Sequence, residues 1–174
     1  MDATPAETAP DRAAGDVIVL ADVVGTIAFT ITAITAAVVF STPSQWVGAI
    51  TAMALFAVGV FAFIWSFWNA VQRSRDEQIA VTQIYLLLGS PTPPRVRRIM
   101  LSMLLVQTVV GLTTALARSE ADDGSPGTSL AVGVLVPMFG IGLNGLWSAF
   151  HGVFPPRPDG VTSDAVIDQN GEHG

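Results

Sequence analysis

Four apolar runs, Val17–Phe40, Trp46–Trp68, Ile99–Ala117 and Leu130–Phe150, share a single formal charge, Asp22. An α-helix needs about 20 apolar residues to cross the hydrocarbon core of a bilayer, with roughly 17–25 tolerated. All four runs fall in that window. The sequence therefore predicts an all-α membrane protein with four transmembrane helices, spans 17–40, 46–68, 99–117 and 130–150. The transmembrane domain covers 17–154, between a flexible acidic N-tail over 1–16 and a flexible C-tail over 155–174. At 174 residues the remainder is too short for a separate soluble domain, which rarely falls below about 50 residues.

Charge placement predicts an orientation. All eight basic residues are Arg, and Arg73, Arg75, Arg95, Arg97 and Arg98 lie together in segment 69–98, between the second and third spans. Short cytoplasmic loops collect Arg and Lys, so this segment and both tails are expected on the cytoplasmic side of the plasma membrane. The formal charge of −6 comes mostly from the tails and carries no basic run, which argues against nucleic-acid binding. Residues 1–16 are acidic where a secretory leader would be basic, so the first span is expected to be retained. Trp46, Trp65, Trp68, Phe67, Trp147 and Phe150 sit at the ends of their spans, as an aromatic belt would.

Segment 69–98 is the most structured part outside the bilayer. No Gly or Pro occurs from Phe61 to Leu88, so the second helix is expected to run well past Trp68. Val81, Ile84, Tyr85 and Leu88 follow i, i+3, i+4, i+7 spacing and give one apolar face on an extended or interfacial cytoplasmic helix, suited to the membrane surface or to a partner. Gly89 to Pro94 stops that helix, because proline cannot continue it. The stretch 119–129 reads as a polar turn-rich loop.

Several groups inside the spans bear on function. Asp22 lies about six residues into the first run, near a helix N-terminus, and is expected as an interfacial or partner-pairing carboxylate; an intramembrane acid can also carry protons. Gln107 and Asn144 each need a hydrogen-bond partner in a dry environment, either one another or a second protein. The threonines of the spans can return their hydroxyls to their own helix backbone. Gly140-Ile-Gly142-Leu-Asn-Gly145 spells G-x-G-x-x-G but sits inside an uncharged apolar run, not between a strand and a helix, so no dinucleotide cofactor is expected. It reads instead as a close-packing face made of Gly140, Gly142, Gly145 and Ala149, with Asn144 on the same span. A small-residue ridge at Ala28, Thr32 and Ala36 on the first span is its expected mate. Whether the glycine face packs within the chain or against another subunit stays open at this level. Pro137 is expected to kink the fourth span.

No thiol chemistry is available without cysteine. His151 and His173 have no metal-ligand companion at helical spacing, and no nucleophile or acid–base pair is clustered, so neither an enzyme nor a metal site is expected. The acidic Pro/Ala-rich N-tail, the Arg-framed segment RSRDEQIAVTQIYLLLGSPTPPRVRR and the fourth span LAVGVLVPMFGIGLNGLWSAFHG together resemble a group of small four-span actinobacterial membrane proteins. In these segments the chain is similar to the mycobacterial lipid-uptake coordinator B family, accessory subunits of the Mce lipid-import machinery. That resemblance implies a non-catalytic subunit beside a permease, with lipid (fatty acid) import driven by a separate ATPase and no substrate site on this chain. The alternative expectation is a small homo-oligomeric carrier or channel in which Asp22, Gln107 and Asn144 line a path.

Overall fold

In the computed structural model, residues 9–89, 91–117 and 129–156 are described. They form α1 (Ala9–Val39), α2 (Thr42–Arg73), a short α3 (Val81–Tyr85), α4 (Pro94–Ala117), a 3-10 turn over Ser129–Leu135 and α5 (Pro137–His151). Apart from one isolated antiparallel bridge between Glu77 and Pro156, regular structure among the described residues is helical. Four segments are long and apolar enough to cross a membrane: Ala13–Val39, Thr42–Arg73, Pro94–Ala117 and Leu130–His151. The chain is a multi-pass membrane protein. Loop 119–128 and the C-tail from 157 lie outside the described residues.

The α1–α2 connection is shorter than the sequence suggested. Phe40 turns the chain with φ +48° and Ser41 caps α2, its hydroxyl accepting from the Ser44 N–H while the Ser44 hydroxyl accepts from the Ser41 N–H. This reciprocal pair satisfies two amides that the first turn leaves open, and Pro43 costs nothing where an N–H is not needed. α1 also begins earlier than expected, at Ala9, because Pro10 sits in its first turn and Gly15 packs against Trp147 and His151 of α5.

α5 is the central element. Over half of the Leu130–His151 window is buried (56%), against 22–28% for the other spans. Its contact with α2 is set by Gly142 and Gly59, whose backbones approach so closely that a Cβ on Gly142 would overlap the Gly59 carbonyl. Only glycine permits that separation. The fourth span is broken rather than kinked. The 3-10 turn ends at Leu135, Val136 accepts from the Phe139 N–H at 2.8 Å, and Pro137 starts α5. Irregular backbone at this depth is tolerated because Val136 is fully enclosed by protein.

Candidate functional site

Asp22, Thr26, Gln107 and the N-terminal turn of α5 form one polar node. Gln107 Nε2 donates to Asp22 Oδ1 at 3.1 Å and to Thr26 Oγ1 at 2.7 Å, while Gln107 Oε1 accepts from the Gly140 N–H at 3.1 Å. The glutamine orientation is fixed from both sides, since only its oxygen can accept from a backbone N–H. Asp22, Gln107 and Asn144 all have no exposed surface. Asp22 is seven residues from Gly15 and Gln107 is eight from Ile99, so both sit roughly 10–12 Å beyond the arginine-bearing end, near the middle of the bundle. Of the two expectations for Asp22, the interfacial one is corrected, because α4 and α5 close over the carboxylate, while the pairing one agrees with its hydrogen bond from Gln107. Oδ2 of Asp22 has no hydrogen-bond partner.

Gln107 and Asn144 do not meet. Asn144 Nδ2 instead donates to the Tyr85 carbonyl at 3.0 Å, and Ser148 Oγ donates to the Gln83 carbonyl at 3.4 Å. Here α3 lies on the small face of α5. A Cβ on Gly145 would stand 2.5 Å from Tyr85 Cε1 and 2.6 Å from Ser66 Oγ, so this glycine makes the slot that the tyrosine ring fills. The ring stacks on Phe63 with centroids 4.5 Å apart. Burial pushes the Tyr85 phenol upward from its ordinary value, partly offset by the hydrogen bond with Ser66.

Two surfaces read separately from the sequence are thus largely each other's partners. Ile84 and Tyr85 are buried, while Val81 and Leu88 stay exposed. The helical spacing of those four residues extends over a real helix of only five residues, because α2 stops at Arg73 and the chain turns back toward α5. Leu87, with φ +51°, is the residue that closes the end of the bundle; it is fully buried among Met100, Leu143 and Trp147. Periodicity could not single it out.

The small-residue ridge on α1 also has a different mate. Ala36 is buried against Gly48 of α2, where an added Cβ would lie 3.2 Å from the Ala36 Cβ; Thr32 is half-buried and Ala28 exposed. Thr30 and Thr32 return their hydroxyls to the carbonyls of Thr26 and Ala28 as their spacing suggested. Gly140 lies against Gln107, and Ala149 is buried. Trp46, Trp65, Trp68, Phe67 and Phe150 are exposed, as belt residues would be, but Trp147 is buried in the core beneath Leu87.

Arg73, read from the sequence only as one of the arginines that set orientation, has a tertiary role as well. Its Nη1 donates to the Ala149 carbonyl at 2.6 Å and its Nη2 to the Gly152 carbonyl at 3.1 Å, closing the C-terminal end of α5. The same guanidinium pairs with Glu77 at 2.9 Å and lies 5.4 Å from the Phe154 ring centroid. Helix C-termini favour cations because their last carbonyls lack partners. The Arg73–Glu77 spacing was the available signal. Among the described residues no group of three or more His, Asp or Glu is placed to hold a metal.

No protein-family model, curated protein or solved structure matches this chain.

Proposed function

We propose that the chain is a non-catalytic accessory or assembly subunit of a larger membrane complex, an ATP-driven lipid (fatty acid) importer of the Mce type. The observation that carries this reading is the closed polar node. Asp22, Thr26 and Gln107 spend their hydrogen bonds tying α1 and α4 to the α5 backbone without exposed surface, an arrangement suited to holding a shape. An enclosed cavity among Phe29, Ala33, Gly48, Thr114, Leu130 and Gly133 measures about 10 Å³, the room of one water. The resemblance in the N-tail, the Arg-framed segment and the fourth span supplies the pathway. With Arg73, Arg75, Arg95, Arg97 and Arg98 at one end, the reading puts that end and both termini on the cytoplasmic side of the plasma membrane.

The test is a pull-down of the tagged protein from its native membrane in mild detergent, with co-purifying chains identified by mass spectrometry. Stoichiometric recovery of Mce proteins with their permease and ATPase supports the reading. Recovery of the chain alone, as a homo-oligomer, overturns it.

One observation favours a second reading, a small homo-oligomeric carrier or channel using Asp22: the buried Oδ2 of Asp22 has no hydrogen-bond partner, and an intramembrane acid that is not fully paired is a candidate carrier of protons. On this reading the wild-type protein gives a pH-dependent flux in liposomes that Asp22→Asn abolishes. An unchanged flux in the variant, or none in the wild type, ends it.

A further inference from the structure

We propose that the first turn of α4 holds the phosphate of one anionic phospholipid, with its acyl chains lying along the exposed face of the same helix. Arg95, Arg97 and Arg98 are all exposed, and none of them makes a hydrogen bond or ion pair through its side chain among the described residues. Arg73, by contrast, is committed to Glu77 and to the end of α5. Three uncommitted guanidinium groups within four residues stand out in a chain whose formal charge is −6.

The apolar half of the site is on the same helix. Met100, Gln107 and Gly111 define its buried side. Arg98 lies on the opposite side, and in steps of three and four residues it leads to Ser102, Leu105, Val109 and Leu112. Leu105 is 64% exposed, Val109 53% and Leu112 50%. From Arg98 to Val109 is eleven residues, about 16 Å at the helical rise, and half of the hydrocarbon core is about 15 Å. A headgroup at the arginines thus puts one leaflet's acyl chains along this stripe. Guanidinium groups bind phosphate oxygens in a fork, which adds geometry to charge, and the positive end of the α4 dipole has the same sign. The occupant is a lipid rather than free phosphate because the apolar stripe continues directly from the basic turn. The inference is independent of the proposed complex: the lipid is a fixture of the helix edge, not cargo.

The experiment is native mass spectrometry of the full chain in mild detergent, titrated with phosphatidylglycerol or with phosphatidylcholine of the same acyl chains. With roughly fivefold per arginine near an anionic headgroup, the wild type should retain phosphatidylglycerol at least tenfold better. The R95Q/R97Q/R98Q variant should lose that preference, and R75Q should keep it. Excess inorganic phosphate should leave the bound lipid in place. Equal retention of the two lipids by the wild type overturns the proposal without recourse to any variant. So does a triple variant that keeps the preference, or displacement of the lipid by inorganic phosphate.

Discussion

Gln107 Nε2 stands 3.1 Å from Asp22 Oδ1, a contact between residues 85 positions apart in the chain. The same side chain reaches the Gly140 N–H with its oxygen, so one amide joins three helices at the middle of the bundle. In a medium without water, each of these groups would otherwise lack a partner, and that shortage makes the contact specific.

Replacing Gln107 by Leu leaves the Asp22 Oδ1, the Thr26 hydroxyl and the Gly140 N–H without this partner. The expected loss is about 2–4 kcal/mol, with each orphaned group costing roughly 1–3 kcal/mol in soluble proteins and less in membranes. Asp22→Asn keeps an accepting oxygen and should stay within about 1 kcal/mol of the wild type. Equilibrium unfolding in mixed micelles measures both. In a double-mutant cycle, Asp22→Leu with Gln107→Leu should cost less than the sum by about 1 kcal/mol. Strict additivity would mean that the two side chains do not interact.

Gly142 and Gly133 provide an internal contrast. A Cβ on Gly142 meets the backbone of Gly59, which cannot turn aside, whereas one on Gly133 meets the Phe29 ring at 3.4 Å, an ordinary contact. Gly142→Ala should therefore lower stability by about 2 kcal/mol or more, in the range of overpacking. Gly133→Ala should stay within about 1 kcal/mol. Thermal unfolding in detergent ranks the pair, and equal effects would contradict the close α2–α5 crossing.

Arg73 is expected to matter more than the acid it pairs with. Arg73→Gln removes a cation from the end of α5 along with two bonds to carbonyls, a loss of about 1–3 kcal/mol. Glu77→Gln breaks only a half-exposed pair, worth about 0–1 kcal/mol. A larger effect from Glu77 than from Arg73 in the same unfolding assay would reverse the assignment.

Tyr85 gives a pH signature. Its phenol titrates higher in the folded protein than the ordinary value of 10.0, so above that pH the folded state keeps a proton that the unfolded state loses. By linkage, stability from this group is fully present below pH 10 and falls as pH rises beyond it. Unfolding midpoints measured from pH 8 to 11 should decline at the alkaline end. In Tyr85→Phe that decline should be smaller, while the hydrogen bonds near 3.5 Å that the hydroxyl makes with Ser66 and Phe63 are long enough for their loss to be minor.

Much of the architecture was legible because a bilayer imposes a length and a composition on whatever crosses it. The four apolar spans and the exposed aromatics of α2 follow from local chemistry, and Pro137 marked where the fourth span is disturbed, though as a kink and not the full break that the structure has. Gln107 and Asp22 could be singled out, since a polar group in an apolar run has to find a partner, but the pairing could not. Leu87 and Trp147 were illegible: one looks like any leucine of an amphipathic stretch, the other like a belt residue, and both are core.

The sequence by itself determined that this chain has four helices long and apolar enough to cross a membrane, and which groups inside them need partners. Those are properties of single segments, set by hydropathy, backbone satisfaction and helix-breaking residues. Only the tertiary structure decided that the glycine face of α5 receives Gly59 and Tyr85, that Gln107 takes Asp22 rather than Asn144, and that Arg73 closes α5. Each of these depends on which helix stands beside which, and many small faces are equally able to pack until the whole bundle selects one set.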